Sequence, residues 1–328
     1  MAFKTIRDFE GVRRSPKPAE RVDNIKQAAE GFRKCMLEGK SLRYYRSMEL
    51  VRVPYPSRYG YLHAFTGLSA MLHLVNRLFV VQTDTPDGLK TILLSPSDWE
   101  NQVSVPFFQR LSESSGRIGR LLEPLVFARR RTVPQALAEI GLAPEDIDYI
   151  SYDHLHTQYL RRWLGTHDQP GLFPKAKLLV MRTEWEAAQA LLPWDRQWYC
   201  PDGLSGIPES RLELLDGDVM VGEGLALVRT PGHTAGNHSF VAHTEAGLLV
   251  TSENGISLDS YSPERSRIPG LAAFAKATGA EVVLNGNTLE DSSDQYLSMI
   301  QEKAIAGPHP TLDLSLIHIS EPTRRRGI

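Results

Sequence analysis

Ile150-Ser151-Tyr152-Asp153-His154-Leu155-His156-Thr157-Gln158-Tyr159 runs from a short apolar strand pattern straight into two histidines spaced i, i+2. In an irregular turn, that spacing lets both rings aim a nitrogen at one ion. A second stretch, Thr230-Pro231-Gly232-His233-Thr234-Ala235-Gly236-Asn237-His238-Ser239, follows the apolar run Ala226-Leu227-Val228. Its proline and glycine set a tight turn that fixes His233 at a strand end. The third stretch, Thr251-Ser252-Glu253, follows a strand ending at Val250 and puts a carboxylate at another strand end. Strand ends are where α/β folds collect ligands. Three neutral imidazoles and one carboxylate form a workable zinc shell, with bonds of roughly 2.0–2.2 Å in tetrahedral geometry.

Around these stretches the chain reads as strands alternating with helices. Residues 22–37 place Ile25, Ala28, Phe32 and Met36 at loose helical spacing, and Gly39 supplies the stop. Residues 48–55 alternate as a strand. Leu78–Thr83 and Lys90–Leu94 flank the turn Pro86-Asp87-Gly88 and predict a hairpin. Residues 97–140 read mostly as helix, ending at Gly141. A strand is expected over Ala176–Met181, then a helix from Glu184 to Leu192. Two strands are expected around Gly222-Glu223-Gly224 within 211–229. Further short buried strands are expected at Leu248–Thr251 and Glu281–Leu284. This alternation predicts an α/β fold, and the hairpin predicts a partly antiparallel sheet.

Composition narrows the partners. The chain has 328 residues, 41% hydrophobic, with a formal net charge of -2. Nothing in that balance supports a nucleic-acid or acidic-membrane partner. Arg129-Arg130-Arg131 and Arg161-Arg162 are short enough to be solvated helix faces. No apolar run approaches the roughly 20 residues of a membrane span. Met1 to Arg14 lacks the apolar stretch of a signal peptide. Cys35 and Cys200 give no zinc-thiolate spacing and suit a reducing compartment, so a cytoplasmic location is expected.

With these motifs in this order, the chain resembles the metallo-β-lactamase superfamily over roughly residues 45–310, most closely its lactonase-like hydrolases. The family's HxHxDH motif corresponds to His154-Leu155-His156-Thr157-Gln158-Tyr159, with Gln158 replacing the aspartate and Tyr159 the last histidine. Its TPGHTxG turn matches Thr230 to Gly236 in full. Its bridging aspartate corresponds to Glu253, and its final histidine to Asn287. The resemblance implies a four-layer αβ/βα sandwich preceded by an N-terminal arm and helix over 1–44. Residues 311–328 fit no element, and their end resembles translated sequencing-adapter sequence; that tail is expected to lie outside the domain.

The family usually holds two metals. The first set of ligands matches His154, His156 and His233. The second falls on Gln158, Tyr159 and Asn287, none of which brings negative charge, so one zinc ion is expected and a weak or absent second site. Glu253 reaches about 1.5 Å further than an aspartate. It is expected either to complete the first site or to hydrogen-bond a ligating histidine.

The implied activity is hydrolysis of a small ester, lactone or related acyl substrate by a metal-bound hydroxide. The catalytic candidates are Glu253, to handle the proton; Tyr159, to donate to an oxyanion; and Gln158, which cannot titrate. Tyr159 and Asn287 are the candidate substrate contacts, although Asn285-Gly286-Asn287 is also plain turn chemistry. The competing reading is a decayed, metal-free or weakly metallated binding protein on the same scaffold.

Several residues carry plainer alternatives. His167, His238 and His243 read as satisfied or surface histidines. Asp153 orients a histidine or simply ends a strand. Trp163, Trp185, Trp194, Trp198 and Tyr199 read first as core and second as pocket lining. The 22–38 helix reads as an ordinary packed helix ahead of a lid or an arm for a homodimer.

Overall fold

The structure, a computed structural model, describes residues 3–69, 71–114, 128–129, 131–286, 292–308 and 320–322. In chain order the strands are β1 (Lys4–Thr5), β2 (Tyr44–Pro56), β3 (Met71–Thr85), β4 (Gly88–Leu94), β5 (Ala128–Arg129), β6 (Tyr149–Ser151) and β7 (Lys177–Met181). They continue as β8 (Leu212–Leu215), β9 (Val219–Gly222), β10 (Leu225–Arg229), β11 (His238–Thr244), β12 (Gly247–Thr251) and β13 (Ser320–Pro322). One sheet runs β1-β9-β10-β11-β12; the other runs β5-β2-β3-β4-β6-β7-β8, with β13 beside β3.

The strands' side-chain alternation builds the layers. On β3, Phe79 and Val81 point between the sheets, where they meet Leu225 and Leu227 of β10 and Phe240 of β11. Leu78 and Val80 point the other way, against Val133 and Leu137 of the Val133–Glu139 helix. On β10, Ala226 and Val228 face the Pro18–Glu38 and Ser292–Ala306 helices. Helix, sheet, sheet, helix is the expected four-layer α/β sandwich. β3 and β10 are apolar on both faces because both of their faces are covered.

The N-terminal helix starts at Pro18, whose missing N–H costs nothing in the first turn. It buries Ile25, Ala29, Phe32 and Met36 against the second layer, so Ala29 rather than Ala28 lies on the buried stripe. Burying Ile25 and Phe32 contributes roughly 1.5–3 kcal/mol each.

The expected hairpin is β3–β4, closed at Thr85↔Gly88. After it, β4, β6, β7 and β8 are parallel neighbours, so the C-terminal ends of β6 and β7 open side by side.

Three expectations change. Residues 211–229 hold three strands, β8 to β10, because Gly217-Asp218 provides one more reversal: Asp218 accepts the Arg229 backbone N–H at 2.7 Å. Residues 281–284 are not a strand. Val282 and Val283 are buried in two different clusters, and the Val283 N–H bonds to Ser260 O at 2.7 Å instead of a sheet neighbour. Between 97 and 140 the described helices are short, Trp99–Gln102, Pro106–Ser114 and Val133–Glu139, and the rest of that stretch, apart from the short β5, is largely outside the described residues.

Candidate metal centre

The turn after β6 carries His154 and His156, and the turn after β10 carries His233. One nitrogen from each imidazole lies within 4.8 Å of the others, and all three residues are buried. The two turns hang from different sheets. His154 Nε2 and His233 Nε2 are 3.2 Å apart. Two nitrogens on a tetrahedral ion with bonds of roughly 2.0–2.1 Å stand about 3.3–3.4 Å apart, so this pair fits one shared cation. The Nδ1 atoms of His156 and His233 are buried without a hydrogen-bond partner among the described residues.

Local backbone features hold each ring. Thr157, between His156 and Gln158, sits at φ +64, a region a β-branched residue rarely enters. Its N–H bonds to Trp198 O at 2.7 Å, and its carbonyl accepts from Cys200 Sγ at 3.2 Å. His156 packs edge-on against Tyr199, with ring centroids 5.0 Å apart. In the second turn, His233 N–H donates to Asn254 Oδ1 at 3.2 Å. Asn254 is itself held by Thr230 O at 3.0 Å and by the buried Glu302 at 2.7 Å.

Carboxylates surround the cluster. Asp153 Oδ1 lies 3.1 Å from His154 Nδ1, and Asp153 Oδ2 accepts the Glu253 N–H at 2.8 Å. One side chain thus orients a ring and ties down the turn after β12, as carboxylates behind metal-binding histidines do. Glu253 Oε2 stands 3.7 Å from His154 Nε2 at the mouth of the cluster, with its side chain 25% exposed. The ligand atoms that lie within 4.8 Å of one another belong to the three histidines, and Glu253 is outside that group.

Burial opposes charge on His154, but Asp153, then Glu253 and Glu184, outweigh it and lift its pKa to about 9. His156 and His233 are pushed well below the usual histidine range, first by burial and then by the neighbouring rings.

The other candidates are placed as follows. Gln158 is buried, and its Oε1 has no hydrogen-bond partner among the described residues. Tyr159 is half-buried. Asn287 lies outside the described residues. His238 belongs to β11, contacts Ser151 Oγ at 3.3 Å, and has its pKa pushed down to about 4, mainly by burial. It stays out of the cluster, as do the exposed His167 and the half-buried His243. Trp163 is core, while Trp198 lies against Phe107 with ring centroids 4.4 Å apart and the planes tilted by 33°, and stands 6.2 Å from the His156 ring.

Sequence reasoning missed Glu184 as part of the site. It is fully buried in the first turn of the Arg182–Gln189 helix. The available signal was a lone glutamate at a helix start, which reads as ordinary dipole complementarity.

Against known proteins, no protein-family model matches the chain. An N-acyl homoserine lactonase of Bacillus cereus is 29% identical over 158 residues, covering 48% of this chain and 57% of that protein. The chain spans about half the length of the curated relatives it matches, 57% and 46% in the first two. Among solved structures, an N-acyl homoserine lactone hydrolase with the product N-hexanoyl-L-homoserine at its catalytic metal center superposes with a TM-score of 0.56 at 18% identity, over 86% of this chain and 94% of that one. AidC, a dizinc quorum-quenching lactonase, gives a TM-score of 0.51 at 12% identity, over 86% of this chain and 92% of that one. Two face-to-face sheets, helices outside them, and histidines gathered at the strand ends place this chain in the metallo-β-lactamase fold, on the frame used by the N-acyl homoserine lactonases.

Proposed function

We propose that this protein is a metal-dependent hydrolase of a lactone or related small ester, with one zinc ion held by His154, His156 and His233. The observation that carries the reading is the 3.2 Å approach of two imidazole nitrogens from turns on separate sheets. Burying three imidazoles together costs free energy that a bound cation returns. The lactonase relatives and the product-bound neighbour support the substrate class.

When bound, zinc supplies a Lewis acid and lowers the pKa of a coordinated water toward about 7. The rest falls to the chain. Asp153 holds His154 by its Nδ1. Glu253 Oε2, at the cleft mouth, is the carboxylate placed to take a proton. The unpaired Gln158 Oε1 offers an acceptor to a substrate N–H or O–H. Tyr159 supplies a phenol that cannot replace an imidazole ligand but can donate a hydrogen bond. A second ion lacks the charged ligands it needs, so single occupancy is part of the proposal. A cytoplasmic setting is also part of it, supported by two free cysteines; no helix among the described residues is long and apolar enough to cross a membrane.

The test is a preparation made without chelator, analysed for zinc and assayed on N-acyl homoserine lactones and simple esters. About one equivalent of zinc, with hydrolysis lost to chelator and restored by zinc, is expected. Below about a tenth of an equivalent under every loading condition, the metal-free binding reading replaces it.

The proton on His154 gives a further expectation. Zinc must displace it, so apparent affinity should rise about tenfold per pH unit and level off near the pKa of about 9. In chelated protein the same raised pKa has the opposite sign. Its contribution to stability is complete below the unfolded value of about 6.5 and is lost as pH rises through about 9. Chelator-competition titrations from pH 6 to 9.5 check the first statement, and a flat profile contradicts it.

A further inference from the structure

The two histidine turns come from different sheets, so something must set the distance between them. Glu184 touches both. Its Oε1 accepts the backbone N–H of Leu155 at 2.8 Å, and its Oε2 accepts the Thr234 hydroxyl at 2.6 Å. Leu155 lies between His154 and His156, and Thr234 follows His233. One carboxylate therefore grips the residues beside all three imidazoles, one by its backbone N–H and one by its hydroxyl.

The grip is reinforced by close packing. A Cβ at Gly236 would stand 2.1 Å from the Glu184 backbone nitrogen, so the second turn lies directly on the start of the Arg182–Gln189 helix. Only a residue without a side chain permits that approach. Glu184 is completely buried and both its oxygens are engaged. It is placed to hold the turns rather than to meet substrate.

We infer that Glu184 is a positioning residue that sets the spacing of the three imidazoles and so tunes the site's affinity for a divalent cation. The inference rests on the metal-dependent reading above.

The test uses the metal alone on the full chain. Zinc affinity is measured by chelator competition, and ligand geometry by the visible spectrum of the cobalt(II) protein. Glu184→Ala is expected to weaken zinc binding roughly 10–100-fold, the usual cost of losing a group that orients metal ligands, and to shift the cobalt bands. Glu184→Gln should restore the wild-type spectrum and affinity to within about threefold. It keeps a carbonyl oxygen for Leu155, and the Thr234 hydroxyl can turn to accept from the amide. A purely structural glutamate would lower stability in both variants and leave the cobalt bands of the folded fraction unchanged.

Wild-type affinity and spectrum in folded Glu184→Ala overturn the inference. If that variant does not fold, Thr234→Val removes one arm of the grip. About tenfold weaker zinc binding is then expected, and unchanged binding overturns the inference. If the wild type takes up no ion, the hydrolase reading falls by itself. The grip is then read from exchange of the Leu155 amide, which should be at least about tenfold faster in Glu184→Ala, and an unchanged rate overturns it.

Discussion

His233→Ala is expected to reduce bound zinc from about one equivalent to under about a tenth at micromolar protein, and lactone hydrolysis with it. The magnitude follows from ligand count. Zinc-finger sites bind with roughly 10–16 kcal/mol spread over four ligands, or about 2.5–4 kcal/mol for each. Losing one ligand of three therefore weakens the site by roughly 10²–10³-fold. His233 faces His154 at 3.2 Å, and among the described residues no other side chain of its turn joins the three-histidine group. His238, five residues on, is engaged with Ser151 of the other sheet. The exposed His167 is the control: His167→Ala should leave both zinc and activity unchanged. Retained zinc in folded His233→Ala protein would mean that the imidazoles do not share a cation.

The second large effect concerns the backbone that carries His233. Gly232 sits at φ +134, and a Cβ there would lie 2.1 Å from the Gln295 backbone nitrogen of the Ser292–Ala306 helix. Neither the backbone angle nor the helix can yield cheaply. Gly232→Ala should therefore destabilise the chelated protein by roughly 3–5 kcal/mol, combining backbone strain with overpacking. Gly31 provides the contrast. It lies exposed in the N-terminal helix, and an added Cβ meets nothing within 4 Å. The same substitution there should stabilise by about 0.5–1 kcal/mol. Urea unfolding of the pair checks both signs, and equal midpoints would show that the turn is not held as described.

Elements with local signals were readable in advance. The proline and glycine of Thr230 to Gly236 specify a turn wherever they occur, and two histidines around one residue stay close in any irregular turn. The alternation over residues 48–55, within β2, predicted a strand because side-chain period is a property of the chain itself. β11 was passed over although Phe240, Val241 and Ala242 carry its pattern. Its polar residues obscured the pattern, and their burial makes sense only with their partners: Ser239 bonds to Glu302 at 2.8 Å and His238 contacts Ser151. Residues 281–284 misled in the opposite way, since an apolar run cannot show whether a sheet edge is waiting for it.

What the amino acids determined alone was the layered α/β class, the order of the motifs, and the identity of the three imidazoles, because each depends on residue type and short spacing. What only the folded chain decided was their convergence and the carboxylates behind them. Asp153 spans 100 residues to reach the Glu253 amide, and Glu184 reaches back 29 residues to Leu155 and forward 50 to Thr234. Pairings at such separations follow from how two sheets pack and leave no periodic trace in a single sequence.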